Sequence, residues 1–420
     1  MDWDAVDRAV GDGAEHAFAL LERLVAQPST VGAESGAQEV LAAELGDLGF
    51  AITRLPIPDD IADHPAAGLV QVPYDGRYDL VAQRGTDRPA LLLNGHIDVV
   101  PAVDESRWTD PPFRPVRRDG WLYGRGSGDM KAGFAAGVLA LRAMDAAAPG
   151  WLTGGLTVVS AIEEECTGNG TLAACLAGYT ADAALLLEPT DCDILLGGVG
   201  IIWVEIEVEG RAAHAHAATT VVNPVLAAQP VLAALRQFEA ETNAEHERRP
   251  DPDFAALTHP YNVNVGMFQS GDWASSVPAV ARLGVRVGHP MAWTADEALD
   301  RVSDAVAKAS AADPWLAEHP PVVRLSGYRV EGHALPADAP LADQVALAHH
   351  RTHGTEPKRV TLGSTTDARY YLNQAGMPAL AYGPRSRDIH GTDESVELAS
   401  IVATARTLTR FLGDYFPAAP

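Results

Sequence analysis

The sequence has few cysteines and no long apolar run, and both absences narrow the class of protein. Its 420 residues include three cysteines, an odd number without a CxxC pair, which does not suit a disulfide framework. The N-terminal segment has no basic stretch followed by an apolar one, so no secretory signal is predicted. No apolar stretch reaches the length that spans a membrane. We therefore expect a cytoplasmic protein.

Basic residues are scarce relative to acidic ones. The 31 lysines and arginines and the 56 aspartates and glutamates give a formal net charge of −25 at pH 7. A field of this sign repels phosphate backbones, so no nucleic-acid partner is expected. Hydrophobic residues make up 47% of the chain and charged residues 21%, as in ordinary globular proteins, and the length suits two domains.

The first half of the chain alternates predicted helices with short, fully apolar segments. Apolar residues at helical spacing predict helices over 16–27, 35–48 and 131–148. Continuous apolar runs predict buried strands over 79–83, 90–93, 156–161 and 183–187. Strands that alternate with helices predict an α/β sheet with helices on its faces.

The pattern changes near Gly200. Apolar and acidic residues alternate over 201–208, which predicts a half-exposed strand. A helix, two alternating segments, a second helix and a last strand follow, at about 224–241, 261–268, 279–287, 295–311 and 322–325. This β-α-β-β-α-β order is that of a ferredoxin-like α+β unit. We therefore predict such a unit at 199–330, inserted into a discontinuous α/β domain formed by 1–198 and 331–420.

Five polar motifs follow predicted strands or lie in loops. They contain His96 and Asp98 (NGHIDVVP), Asp129 (GRGSGDMKAG), the run from Glu163 to Glu165 (EEECTGNG), Glu188 (LEPT) and His390 (IHGTDE). Open α/β sheets bind ligands at the carboxyl ends of their strands, where these motifs would meet. Each motif alone has a structural alternative, namely a helix cap, a solvated loop charge or a structural or surface histidine. Together they predict a functional site.

The residue types in these motifs indicate a metal site. Imidazole and carboxylate groups without a thiolate suit zinc or a similar divalent ion, and two ions fit if one carboxylate bridges them. Three adjacent carboxylates repel one another unless a cation neutralises them. Asp98 lies two residues after His96, so it can hold the ring in the tautomer that a metal ligand needs. The glycines before Asp129 indicate a close backbone approach to a bound group.

In this combination and order, the five motifs resemble those of a zinc metallopeptidase family. That family includes acetylornithine deacetylase, succinyl-diaminopimelate desuccinylase, aminoacylase and glutamate carboxypeptidase, and the resemblance covers nearly the whole chain. It implies a di-zinc aminopeptidase-like catalytic domain, with the unit at 199–330 as a lid and dimerisation domain. It also implies two divalent metal ions, zinc or alternatively cobalt, and a homodimer.

Carried over residue by residue, the resemblance implies a role for each motif residue. The two metal sites would be formed by His96, Asp129 and Glu188 and by Asp129, Glu164 and His390, with Asp129 as the bridge. Asp98 would orient His96, and Glu163 would be the general base. The spacing to Thr-Gly-Asn-Gly favours Glu163 as base and Glu164 as ligand, and the alternative is the pair Glu164 and Glu165.

The resemblance also extends to residues that would contact the substrate. His214, in Gly-Arg-Ala-Ala-His-Ala, is similar to a lid histidine that stabilises the oxyanion, often in the other subunit, and His216 is the alternative. Arg286 matches a lid arginine that meets the substrate carboxylate. A glycine loop resembles the substrate-side loop of the family and contains Gly363, Ser364 and Arg369.

The resemblance implies hydrolysis of the amide bond in a small N-acyl amino acid or peptide-like substrate, of the deacetylase or desuccinylase kind. A water between the metal ions would attack the amide carbon, and the glutamate base would carry its proton to the leaving amine. A dipeptidase or carboxypeptidase of the same family is the alternative, since the motifs do not define the acyl side. A binding protein on a degraded hydrolase scaffold would lack a ligand or the base, and every one is present.

Overall fold

The computed structural model describes residues 1–86 and 89–416. Its α-helices are α1 (Trp3–Val25), α2 (Ser35–Asp47), α3 (Ala132–Ala147), α4 (Asn169–Leu176), α5 (Pro224–Ala227), α6 (Gln229–Arg248), α7 (Ala295–Ser310), α8 (Pro314–Glu318), α9 (Pro340–His353), α10 (Ala368–Asn373) and α11 (Leu398–Tyr415). Within those two ranges, no helix combines the length and the apolar character that crossing a bilayer requires.

The strands are short in the first part of the chain and longest between 200 and 330. They are β1 (Ala51–Pro56), β2 (Tyr78–Arg84), β3 (Pro89–His96), β4 (Val116–Arg118), β5 (Trp121–Tyr123), β6 (Gly155–Ala161), β7 (Ala183–Leu186), β8 (Ile194–Gly198), β9 (Gly200–Glu209), β10 (Ala213–His214), β11 (Val263–Ser270), β12 (Ser276–Val277), β13 (Val280–His289), β14 (Val322–Val330), β15 (His333–Ala334), β16 (Arg359–Leu362), β17 (Ala379–Ala381), β18 (Ser386–Arg387) and β19 (Ser395–Glu397).

The larger sheet has nine strands, and its centre is parallel. The strand order is β1-β2-β6-β3-β7-β17-β8-β15, and β16 also pairs with β8. β3 runs parallel to its neighbours β6 and β7, and β17 runs parallel to β7. Every residue of β6 and β7 is buried, as the continuous apolar runs predicted. The carboxyl ends of these four strands therefore lie at one edge of the sheet.

Helices pack against both faces of this sheet. Successive residues of a strand point to opposite faces. Accordingly, Leu91 and Leu93 belong to the hydrophobic cluster that contains residues of α1, α3 and α11, whereas Leu92 belongs to the cluster that contains Ala368 and Tyr371 of α10. The predicted α/β architecture is confirmed.

A second, antiparallel sheet has the strand order β11-β13-β9-β14. With α6 and α7 between its strands along the chain, this is the order of a ferredoxin-like unit. Alternate residues of β9, among them Val204 and Ile206, form a separate hydrophobic cluster with residues of both helices. The division of the chain at 198 and 330 into domains stays a prediction.

Several boundaries differ from those predicted. α1 begins at Trp3 instead of 16, because the side chain of Asp2 caps it and Val6 and Val10 continue its buried face. The helix predicted at 224–241 is divided into α5 and α6, and α6 continues to Arg248. A small sheet, β18-β19-β5-β4, was not predicted. Its strands have two or three residues, too few to show a periodic pattern.

The N-terminal end of α3 lies very close to the segment that follows β7. A Cβ atom on Gly133 would be 1.8 Å from the backbone oxygen of Leu187, so only glycine permits this approach. Gly133 is four residues after Asp129, and Leu187 directly precedes Glu188. The contact therefore brings two carboxylate-bearing segments together.

We expect Gly133→Ala to lower the free energy of unfolding by about 1–3 kcal/mol, because α3 and the Leu187 segment must move apart. Gly46→Ala is the matched control. Gly46 is an exposed residue of α2 with nothing within 4 Å of an added Cβ, so this change should stabilise by about 0.5–1 kcal/mol. Urea unfolding of both variants measures the difference. If the two substitutions changed the free energy of unfolding by the same amount in the same direction, the close contact of Gly133 with Leu187 would not explain the effect.

Candidate metal centre and cavity

The five motifs identified in the sequence converge at the carboxyl edge of the larger sheet. His96 is the last residue of β3, the run at 163–165 follows β6, and Glu188 lies two residues beyond β7. Asp129 lies in the turn before α3, and His390 lies in the loop between β18 and β19. Because β6, β3 and β7 are neighbours, the loops after them open toward the same side.

Two three-residue clusters share Asp129. The ligand atoms of His96, Asp129 and Glu188 lie within 4.8 Å of one another, and so do those of Asp129, Glu165 and His390. His96 Nε2 is 3.1 Å from Asp129 Oδ1 and 3.8 Å from Glu188 Oε2. His390 Nε2 is 3.5 Å from Asp129 Oδ2 and 3.0 Å from Glu165 Oε2. Asp129 thus turns one carboxylate oxygen toward each histidine.

Asp98 connects His96 to the acidic run. His96 Nδ1 is 3.0 Å from the backbone oxygen of Asp98, which can accept a hydrogen bond from it, and this leaves Nε2 facing the cluster. The carboxylate of Asp98 is farther from the ring, at 3.6 Å. It accepts hydrogen bonds from the backbone N–H groups of Glu164 (3.2 Å) and Glu165 (3.1 Å). Asp98 therefore contacts the ring of His96 and the backbone that carries the acids.

The histidines and acids of the clusters change one another's ionisation. Burial lowers the pKa of His96, but the charge of Glu188 and the hydrogen bond with Asp129 outweigh it and raise this pKa well above its usual value. Burial is likewise outweighed at His390, whose pKa rises to about 11 beside Asp129 and Glu165. Burial raises the pKa of Glu188 and of Glu165. The clusters therefore favour positive charge, which bound protons or metal ions can supply.

Glu163, the predicted general base, has a closely hydrogen-bonded environment. Its carboxylate is fully buried and accepts hydrogen bonds from Arg77 Nη1 (2.6 Å), the Tyr74 hydroxyl (2.7 Å) and the Thr167 hydroxyl (2.7 Å). Among the described residues, those that line the cavity beside the clusters do not include Glu163. Three donors thus hold the carboxylate in a buried ion pair with Arg77, away from the cavity lining.

The next two glutamates face the cavity instead. Glu165, and not Glu164, completes the cluster with Asp129 and His390. The carboxylate of Glu164 has longer contacts, with Oε1 at 3.4 Å from Arg369 Nη1 and Oε2 at 3.4 Å from the Tyr328 hydroxyl. The geometry thus corresponds to the alternative pair, Glu164 as base and Glu165 as ligand. In that pair, each role lies one residue later than in the pair Glu163 and Glu164.

A cavity of about 650 Å³ extends from the clusters to the face of the smaller sheet that its helices leave uncovered. Its acidic end is lined by His96, Asp129, Glu164, Glu165, Glu188 and His390. The opposite wall is formed by residues of β9, β11, β13 and β14, among them Trp203, Asn264, Arg286 and Tyr328. A cavity of this size suits a small organic ligand.

Arg286 reaches the cavity from the smaller sheet. Its Nη2 donates to the backbone oxygen of Gly363 at 3.0 Å, and Ser364 lines the cavity next to that loop. No carboxylate in the described part of the chain forms an ion pair with Arg286, and burial lowers its pKa. The structure thus brings Arg286, Gly363 and Ser364 together beside the cavity.

Arg369 and His214, both predicted to contact the substrate, differ in their surroundings. Arg369 is 2% exposed, and its guanidinium packs over the rings of Tyr328 and Tyr370 at 5.5 and 4.7 Å while it contacts Glu164. His214 is exposed in β10, where its ring is close to that of His216. Within residues 1–86 and 89–416, neither Arg369 nor His214 lines the cavity. Packing against the two tyrosines thus directs Arg369 toward Glu164.

Sequence reasoning missed Tyr328 and Trp203. The Tyr328 hydroxyl donates to the backbone oxygen of Glu164, and the Tyr328 ring meets Trp203 edge-on at 5.1 Å between centroids. The last strand was predicted to end at 325, whereas β14 continues to Val330 and carries Tyr328 to the site. The alternating pattern of β9 could have shown which face Trp203 occupies, but not what that face meets.

Comparison with known proteins gives the family of the chain. Residues 92–414 match the model of peptidase family M20/M25/M40. The chain is 28% identical over 418 residues to a succinyl-diaminopimelate desuccinylase of Caulobacter sp. (strain K31), covering 95% of this chain and 96% of that protein. It is 27% identical over 398 residues to an N-formyl-4-amino-5-aminomethyl-2-methylpyrimidine deformylase of Bacillus subtilis (strain 168), covering 90% and 88%.

Solved structures share the whole fold. The dipeptidase Dug1p of Saccharomyces cerevisiae has a TM-score of 0.80 at 16% identity and covers 100% of this chain and 99% of its own. The YXEP protein of Bacillus subtilis, a dinuclear metal-binding peptidase, has a TM-score of 0.60 at 12% identity, with coverages of 97% and 100%. The chain therefore belongs to peptidase family M20/M25/M40, as the motifs indicated, and is a hydrolase that acts on amide bonds.

Proposed function

We propose that this chain hydrolyses the amide bond of an N-acyl amino acid or a related small amide, with two divalent metal ions held around Asp129. The observation that carries the proposal is the pair of clusters that share Asp129 at the acidic end of the cavity. Similarity to a desuccinylase and a deformylase, each named for the removal of an acyl group, supports deacylation over peptide cleavage.

The residues fit a pair of zinc ions, with cobalt as a substitute. One ion would be held by His96, Asp129 and Glu188, and the other by Asp129, Glu165 and His390. Glu188 Oε1 is buried and has no hydrogen-bond partner in the described part of the chain, and a cation would provide one. When bound, the ions would polarise the amide carbonyl and lower the pKa of a water between them.

Glu164 is the general base of the proposed reaction, and Glu165 is the ligand. Glu164 lines the cavity, and its contacts at 3.4 Å leave its oxygens able to accept a proton from the attacking water. The same carboxyl group then protonates the leaving amine nitrogen, so the proton is conserved and the acyl group gains the hydroxyl. The carboxylate of Glu163 is unsuited, since three short hydrogen bonds occupy it.

We expect Glu164→Gln to lower kcat by roughly 10²- to 10⁴-fold while the protein retains both metal ions. Glu163→Gln is the matched control at the adjacent position. It should lower the melting temperature, because Arg77 loses a buried partner, but change kcat far less. Glu165→Gln should lose one ion. Turnover, metal content by mass spectrometry and thermal melting separate the three variants.

Two outcomes would overturn this assignment. Near-normal turnover of Glu164→Gln would remove it as the base, and a stable, inactive Glu163→Gln would return that role to Glu163. Chelation should abolish turnover of the unmodified protein, and zinc or cobalt should restore it. Activity that survives exhaustive chelation would exclude the metal mechanism.

Arg286 provides the recognition of a substrate carboxylate in this proposal. It is the guanidinium of the smaller sheet that faces the cavity without a carboxylate partner among the described residues. A second guanidinium at the cavity, that of Arg282, is paired with Glu207 at 2.9 Å. A partly buried cation without a counter-ion favours an anionic ligand, and an α-carboxylate is the anion common to N-acyl amino acids.

A mass-spectrometric screen of the zinc-loaded protein tests the substrate class. N-acetyl, N-succinyl, N-formyl and N-carbamoyl amino acids are compared with dipeptides, and each active compound is compared with its carboxamide. We expect a preference for the free carboxylate of roughly 10- to 100-fold, lost in Arg286→Met and largely retained in Arg282→Met. Faster cleavage of dipeptides than of all N-acyl compounds would support the dipeptidase alternative.

The proposal assigns the unit at 199–330 as lid and dimerisation domain and the segments 1–198 and 331–420 as catalytic domain. The separate hydrophobic cluster of the smaller sheet and its uncovered face at the cavity support this division. His214 is exposed, so a homodimer could bring it to the cavity of the other subunit as the oxyanion donor. The three free cysteines suit the cytoplasm as the compartment.

Mixing two inactive variants tests whether His214 acts in the other subunit. His214→Ala lacks the oxyanion donor and Glu164→Gln lacks the base. After subunit exchange, a mixed dimer contains one site with both residues intact, so we expect turnover to return. Mixtures that remain inactive, or a fully active monomer in light scattering, would contradict action across the dimer.

A further inference from the structure

Glu394 holds the backbone of the glycine-rich turn that carries Asp129. Its side chain is fully buried, and each carboxylate oxygen accepts two hydrogen bonds. Oε1 accepts from the backbone N–H groups of Gly128 (2.9 Å) and Asp129 (3.0 Å). Oε2 accepts from the backbone N–H of Gly126 (3.0 Å) and from Arg125 Nη1 (2.5 Å). Three backbone N–H groups of one turn are thus bound by a single side chain.

The turn is shaped to receive this carboxylate. Gly126 has a φ of 77°, which directs neighbouring N–H groups to the same side. A Cβ atom on Gly128 would lie 2.7 Å from Ser386 Cβ and 3.4 Å from Glu394 Oε1, so a side chain there would displace the contact. Buried backbone N–H groups need acceptors, and for these three Glu394 provides them.

Glu394 also connects the segments that carry the two histidine-containing clusters. It is four residues after His390, and the hydrogen bond from the N–H of Asp129 ends on its Oε1. Asp129 contributes one oxygen to each cluster, so a small displacement of its backbone changes both clusters together. The position of the shared carboxylate relative to His390 is therefore determined through Glu394.

We propose that Glu394 is a positioning residue of the metal pair, which keeps Asp129 between the two ions through its backbone hydrogen bonds. The inference rests on the proposed two-metal function. It differs from a general stabilising role, since that role would affect folding without affecting the metal sites. Residues that orient ligands from outside the coordination shell commonly alter metal affinity by roughly 10- to 100-fold when replaced.

The test compares Glu394→Gln and Glu394→Asp with Glu44→Gln. Glutamine keeps the shape but replaces one acceptor oxygen with a donor, and aspartate keeps the charge but is one methylene shorter. Glu44 is the control for loss of a buried, paired carboxylate away from the clusters, since it is 3% exposed and binds Arg23 at 2.8 Å. Metal is first removed from each protein with a chelator. Cobalt binding is then measured by calorimetry and by the visible absorption spectrum, and folding is measured by circular dichroism and thermal melting.

We expect both Glu394 variants to bind cobalt roughly 10- to 100-fold more weakly, with an altered spectrum and a lower kcat at nearly unchanged KM. Glu44→Gln should lose thermal stability but keep the affinity and the spectrum. If either folded Glu394 variant keeps the cobalt affinity and the absorption spectrum of the unmodified protein, the positioning role is wrong. If the glutamine variant does not fold, the aspartate variant alone tests the proposal. Fewer than two cobalt ions bound by the unmodified protein would instead refute the proposed function itself.

Discussion

Concentrated negative charge at the carboxyl edge of the larger sheet is the constraint on which this molecule depends. Asp129, Glu164, Glu165 and Glu188 line one end of a single cavity. Like charges about 4 Å apart near a protein surface repel by about 4 kcal/mol, so this arrangement opposes folding unless positive charge and a stiff scaffold accompany it. The buried parallel strands, the contact of Gly133 with Leu187 and the hydrogen bonds to Glu394 supply the scaffold. The two histidines and the proposed cations supply the charge.

Three adjacent glutamates show how environment alone separates chemical roles. Glu163 has a φ of 64°, in the left-handed region, and this turn of the backbone sends the consecutive side chains in different directions. The Glu163 carboxylate meets Arg77 and is neutralised, whereas that of Glu165 meets His390 and joins a cluster. Glu164 lies between them with longer contacts and access to the cavity. The same kind of side chain is thus a buried anchor, a proposed base or a proposed metal ligand according to its partners.

Site residues could be predicted from the sequence where a local motif identifies them. They could not be predicted where a partner distant in the sequence determines the direction of the side chain. His96, Asp129, Glu188 and His390 could be found because each lies at a strand end or in a loop with a marked motif. The run at 163–165 has no periodicity that distinguishes its members, and Arg77, which distinguishes them, is 86 residues earlier. Arg369 was assigned to the substrate by its loop, yet its direction depends on Tyr328 and Tyr370. The α/β pattern was predictable, but the strands of two or three residues were not.

The smaller sheet forms one wall of the cavity and also contacts the segment that carries the proposed base. β14 carries Tyr328, which donates to the backbone oxygen of Glu164, and β13 carries Arg286, which donates to Gly363. Trp203 of β9, the strand between β13 and β14, packs edge-on against Tyr328 and is paired in register with Arg286. The proposed base and the proposed carboxylate site are therefore connected through one antiparallel sheet. A shift of that sheet relative to the larger one would move Tyr328 and Arg286 together, so under the proposed function it would alter substrate recognition and the surroundings of the base at the same time.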